Sequence, residues 1–74
     1  MESKNWWHGY IIEFDSDQIV CKLTKDYKLD KCLTYGRGNL KLEQNNMVTL
    51  GLMIKFNIKT KKIKFLMPDG KSWI

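Results

Sequence analysis

The sequence predicts an all-β fold, a small five-stranded curved antiparallel barrel with at most one short helix or 3₁₀ turn. Three observations carry this. The 74 residues include no alanine and a single proline, whereas aromatic side chains make up 12% of them; alanine is the strongest helix former, and Ile, Val, Thr and the ring residues favour strands. Apolar residues recur at every second position, with no sustained helical period. Finally, about five short alternating runs are separated by glycine-containing bends. A flat sheet of that size would bury too little on one side, so the sheet is expected to curl into a barrel of OB-like or SH3-like kind.

The first strand is expected from Trp7 to Phe14, a run rich in aromatic and β-branched residues, and Asp15-Ser16-Asp17 after it has the composition of a turn. From Gln18 to Thr24, Ile19, Cys21 and Leu23 alternate with Val20, Lys22 and Thr24, giving a hairpin partner whose first set faces the core. The charged, irregular stretch Lys25 to Lys31 reads as a loop. Leu33, Tyr35 and the Gly36-Arg37-Gly38 break suggest a short third strand ending in a bend or bulge. Leu40 and Leu42 suggest a brief fourth extended piece, and one helical or 3₁₀ turn fits around Gln44 to Val48.

The C-terminal third alternates most clearly. Leu50, Leu52, Ile54, Phe56 and Ile58 take turns with Gly51, Met53, Lys55, Asn57 and Lys59; Thr60-Lys61 reverses the chain, and Lys62 to Met67 returns with Ile63 and Phe65 opposite Lys62, Lys64 and Leu66. This predicts an antiparallel hairpin. Pro68-Asp69-Gly70 is a turn signal, and Trp73 is expected to plug one end of the core. The adjacent Trp6 and Trp7 must point to opposite faces of their strand, one inward and one outward. The length allows one small domain over residues 1–74 and excludes the large α/β enzyme folds.

Charge is polarised along the chain. The first thirty residues hold four lysines against six acids, a net −2, whereas the remainder holds nine basic groups against Glu43 and Asp69, a net +7. No acidic residue lies between Gln44 and Pro68, yet Lys55, Lys59, Lys61, Lys62 and Lys64 all fall on the C-terminal hairpin. Such a face suits a phosphate backbone, from which lysines release counterions, with nearby rings stacking bases. The candidate contacts are these five lysines with Arg37, Trp6 and Tyr35; Trp7, Tyr10 and Tyr27 are further candidate rings. Lysine outnumbers arginine twelve to one, which favours backbone contact over bidentate base reading. The same lysines could equally solvate an exposed hairpin and protect a sheet edge from aggregation.

No catalytic chemistry is visible. His8 is the sole imidazole, Cys21 and Cys32 lack metal-ligand spacing, and no serine stands in a nucleophile elbow. Asp15 and Asp17 are too few for a calcium loop. The expectation is a non-enzymatic protein with neither metal nor cofactor. The N-terminal residues lack the apolar core of a secretory signal, and the longest apolar stretch, Met47 to Ile54, is far too short to span a membrane. Two cysteines are fewer than a secreted domain of this size carries, so both are expected as thiols in the cytoplasm.

Three segments carry a resemblance: Trp7-His8-Gly9-Tyr10-Ile11-Ile12-Glu13, then Met47-Val48-Thr49-Leu50-Gly51, and Lys64-Phe65-Leu66-Met67-Pro68 with Trp73. Their order is similar to that of small uncharacterised bacterial domains which in turn resemble S1 and other OB-type barrels. The resemblance implies a barrel that binds RNA or single-stranded DNA, although the aromatic motifs of cold-shock proteins are not present. Two functions follow as expectations. The first is a module binding RNA or single-stranded DNA through the basic hairpin with aromatic support. The second is a small protein-interaction module or inhibitor, of the type found in phages and mobile elements, docking on an acidic partner surface. Either would act as a monomer or as an edge-paired dimer.

Overall fold

A computed structural model describes residues 5–25 and 29–74. Strands Trp6–Phe14 (β1), Gln18–Lys25 (β2), Leu29–Gly36 (β3), Met53–Asn57 (β4) and Ile63–Phe65 (β5) form one antiparallel sheet in the order β3-β2-β1-β4-β5. A 3₁₀ turn, Arg37–Asn39, and a helix, Leu42–Met47 (α1), occupy the connection between β3 and β4. The all-β class and the five strands are those the sequence predicts; where it allows one helical or 3₁₀ turn, the chain forms one of each.

β1 is the spine. It pairs through His8 to Phe14 with β2 and through Trp6 to Tyr10 with β4. Two features bend it. At Gly9 a Cβ would overlap the Lys22 carbonyl oxygen, so only glycine lets β1 and β2 approach there. Between Ile11 and Glu13 the register slips by a residue, a bulge that leaves Ile12 exposed while Ile11 stays in the core. On its β4 side Ile11 pairs with the Gly51-Leu52 backbone rather than with a regular strand.

One face of the sheet carries the core: Trp7 and Ile11 from β1, Ile19, Cys21 and Leu23 from β2, Ile54 and Phe56 from β4, and Ile63 and Phe65 from β5. Leu40 is buried with them, and Leu33, Tyr35, Met47, Val48 and Leu52 pack around the rim. Trp7 is therefore the inward member of the tryptophan pair, and Ile19, Cys21 and Leu23 face inward as their alternation predicts.

The sheet does not close. β5 has three residues, and its outer edge is already occupied: Phe65 exchanges two backbone hydrogen bonds with Ile74, at 2.7 and 3.0 Å. The buried Gln44 side chain adds two more, donating from Nε2 to the Ile63 and Ile74 carbonyls at 3.1 Å each. These bonds take the groups that β3 would need to complete a barrel.

Four local expectations need correction. The stretch read as a loop from Lys25 to Lys31 is largely strand, because the β2–β3 register continues to Lys25 opposite Leu29; residues 26–28 lie outside the described part. The third strand is eight residues long rather than short. Leu42 begins the helix instead of a fourth extended piece, since Gln44 turns its Oε1 back onto the Lys41 N–H and starts the helix there. Leu50 belongs to a turn completed by Gly51 at φ +83°, so β4 starts only at Met53.

Candidate nucleic-acid interface

The β-strand period places Trp6, His8 and Tyr10 on the face of β1 opposite the core. Register then aligns His8 with Lys55 of β4, and Lys55 with Lys64 of β5, while Tyr10 aligns with Met53. Two lysines directly across a hairpin repel. Here indole faces receive them: Lys55 Nζ stands 5.0 Å from the Trp6 ring centre and 4.8 Å from that of Trp73, and Lys64 Nζ is 5.9 Å from Trp6. Each such contact contributes roughly 0.5–1 kcal/mol at an exposed site. The His8 and Trp73 rings meet edge to face with centroids 6.2 Å apart.

Trp73 is thus not a plug at the end of the core. The turn over Pro68 to Gly70 returns the chain along β5, and the bridge from Leu66 to Trp73 lays the indole, half-buried, on the outer face. That turn is fastened by Asp69, whose Oδ1 accepts the Lys71 and Ser72 N–H groups; these bonds, that from Ser72 foremost, hold its carboxyl below the usual carboxylate range.

Of the residues singled out in the sequence, Trp6, Lys55 and Lys64 come together on this outer face. Lys59, Lys61 and Lys62 lie at the exposed tip of the β4–β5 hairpin. Asn57 shapes the tip: its Oδ1 accepts the Lys59 and Thr60 N–H groups, its carbonyl accepts that of Lys61, and Lys61 takes φ +64°. Tyr35 is half-buried on the core side, edge-on to Phe56 at 6.2 Å. Beside it, a cleft of about 420 Å³ opens between β3 and β5, lined by Tyr35, Asn39, Lys41, Gln44, Lys61 and Lys62 among others.

Arg37 stands apart from these groups. Its guanidinium donates to the Asp15 carbonyl at 2.7 Å, the Asn45 carbonyl at 3.1 Å and Asn45 Oδ1 at 3.0 Å. It clasps the β1–β2 turn to α1, with three of its five N–H groups engaged inside the protein. Asp15 is fixed in the same turn, where the Asp17 and Gln18 N–H groups lower its carboxyl pKa. Trp7 lies in the core with Lys31 Nζ 5.5 Å from its ring centre, and Tyr27 is outside the described residues.

Sequence reasoning missed His8 and Trp73 as members of the face. For His8 the signal was present in the alternation Trp6, His8, Tyr10. For Trp73 it was not, because its place depends on a single bridge made after a turn.

Cys21 and Cys32 are free thiols on opposite faces, Cys21 opposite Leu33 and Cys32 opposite Lys22. Burial pushes the Cys21 thiol up to about 11. Among the described residues no group of three His, Cys, Asp or Glu side chains is placed to hold a metal ion, and no helix is long and apolar enough to cross a membrane. Comparison of the chain with protein-family models, curated proteins and solved structures gives no match.

Proposed function

We propose that the protein binds RNA or single-stranded DNA, without catalysis, through the outer face of β1, β4 and β5. The observation that carries this reading is the Trp6–Lys55–Trp73 arrangement with Lys64 beside it: paired cations for phosphates, flanked by rings with π-faces for unpaired bases. Tyr10, 40% exposed, extends the platform along β1. The open five-stranded sheet is compatible with the OB-type barrel that the sequence resembles, and such barrels bind oligonucleotides. No base-reading arginine is part of the face, so recognition is by backbone and stacking, not by sequence.

Anisotropy titrations with labelled U12 and dT12 test this. Binding is expected at 50 mM salt and should weaken at 200 mM, with a log–log slope of about 0.7 per phosphate neutralised. Lys55→Gln together with Lys64→Gln should lower that slope by about 1.4, one increment of ~0.7 for each lysine lost. Absence of binding at 50 mM salt removes the proposal.

A protein partner is the second reading. It is favoured by a separate apolar cleft of about 540 Å³, lined by Met47, Leu52, Met53, Leu66, Met67 and Pro68, with no charged lining residue. An apolar centre with a polar edge, here Asn46 and Thr49, is the anatomy of a protein interface. Recovery of one stoichiometric, acidic protein after nuclease treatment supports this reading.

A further inference from the structure

The cleft between β3 and β5 shares Lys64 with the tryptophan face but is otherwise lined by residues that face does not use. Its most informative residue is Lys61. Among the described residues it is the one non-glycine at positive φ, +64°. That region crowds any Cβ, and glycine or asparagine would relieve it. The turn does not need the lysine side chain: the bonds that hold it come from Asn57 Oδ1 and from the backbone of Asn57, Lys61 and Lys62. A strained position that keeps a long cation, where the fold gains nothing from it, points to a ligand.

The surroundings supply the ligand's chemistry. Lys41, Lys62 and Lys64 join Lys61 along the cleft, and no acidic side chain lines it. The one ion pair among the described residues, Lys22 with Asp30, is on β2 and β3. The floor is rigid, since Gln44 spends Oε1 on the Lys41 N–H and Nε2 on two carbonyls. Half-buried Tyr35 forms one wall, and the volume of about 420 Å³ falls in the range of small-ligand sites. A ring-walled cleft lined by four lysines and no acidic side chain matches a phosphate monoester attached to a nucleoside. We propose that this cleft binds the terminal phosphate of a nucleotide, free or at the end of a strand, through Lys41, Lys61 and Lys62, which are not part of the outer face.

A nitrogen-15 NMR titration with pyrophosphate tests this. The amides of Lys41, Lys61 and Lys62 should move and saturate together, while those of Lys22 and Lys71, outside the cleft, stay still. Equal movement at all five overturns the proposal. Lys61→Gly relieves the backbone, so the variant should melt at a higher temperature and yet bind pyrophosphate about tenfold more weakly, as for loss of one charge-assisted hydrogen bond. Lys62→Ala should weaken binding similarly, and unchanged affinity in both variants also overturns it. Trp6→Ala should leave the pyrophosphate response intact, which keeps this result separable from that of the oligonucleotide titrations. Uridine monophosphate and a 5′-phosphorylated trinucleotide distinguish the two sources. Saturation by either supports the cleft, whereas an equal response to the unphosphorylated trinucleotide counts against it.

Discussion

A methyl group at position 9 has nowhere to go. Besides overlapping the Lys22 carbonyl oxygen, it would lie 2.8 Å from that carbonyl carbon and 3.0 Å from the Leu23 Cα, all backbone atoms of a central strand. Backbone cannot rotate aside as a side chain can, so the two strands would have to part. Gly9→Ala is expected to lower the unfolding free energy by about 1–3 kcal/mol, read from the urea midpoint. Gly38→Ala, where nothing lies within 4 Å, should stay within about 0.5 kcal/mol. Arg37 teaches the opposite lesson. The single arginine beside twelve lysines is counted in the sequence with five of them as a candidate ligand contact, but its planar fork suits it to hold three carbonyl-type acceptors inside the fold. Residue type was legible in the sequence, and its partners were not.

At the scale of elements, the two Asx-type turns depend on ionised carboxylates. Asp15 and Asp69 each accept two backbone N–H groups from residues just ahead in the chain, and these bonds hold both carboxyls below the usual carboxylate range. A depressed folded pKa adds stability that is present above the unfolded value and lost as pH falls through the folded one. Below about pH 4 both turns should therefore loosen, visible as faster exchange of the Asp17, Gln18, Lys71 and Ser72 amides, while strand amides of β1 and β2 remain protected. Strands β1 and β2 were readable from alternation because each has one buried face. The boundaries of β3 were not, since its start is charged and only its pairing with β2 makes it a strand. The open seam was likewise hidden: nothing in the order of residues announces that Gln44 reaches nineteen positions along the chain to a carbonyl of β5. For the candidate face, alternation did place Lys55 opposite the core, but the meeting of Trp6 with Trp73 required the whole sheet.

For the molecule as a whole, the charge polarity of the sequence becomes a polarity in space. Register puts Trp6 beside Asn57 at one end of β1 and Phe14 beside Ile19 at the other. Glu13, Asp15 and Asp17 thus cluster away from Lys59, Lys61 and Lys62, along a body about 31 Å in its longest dimension. Such a field turns an approaching polyanion toward the basic end before contact. Global opening can be followed through the thiols. Cys32 is exposed and Cys21 fully buried in the middle of the sheet. At pH 8 a disulfide reagent should label Cys32 at once and Cys21 only as fast as the fold opens. Because burial raises the Cys21 pKa from 9.0 to about 11, its contribution to stability is intact below pH 9 and disappears as pH climbs through 11.

Each of the three tryptophans has a lysine ammonium within 6 Å of its ring: Lys31 at Trp7, Lys55 and Lys64 at Trp6, and Lys55 again at Trp73. An indole's excited state is polar and responds to a neighbouring charge. The ultraviolet emission of this protein is thus a report on its lysines as much as on its core. An anion that draws Lys55 away alters the light from both ends of the sequence at once, and leaves the colour of Trp7 to Lys31.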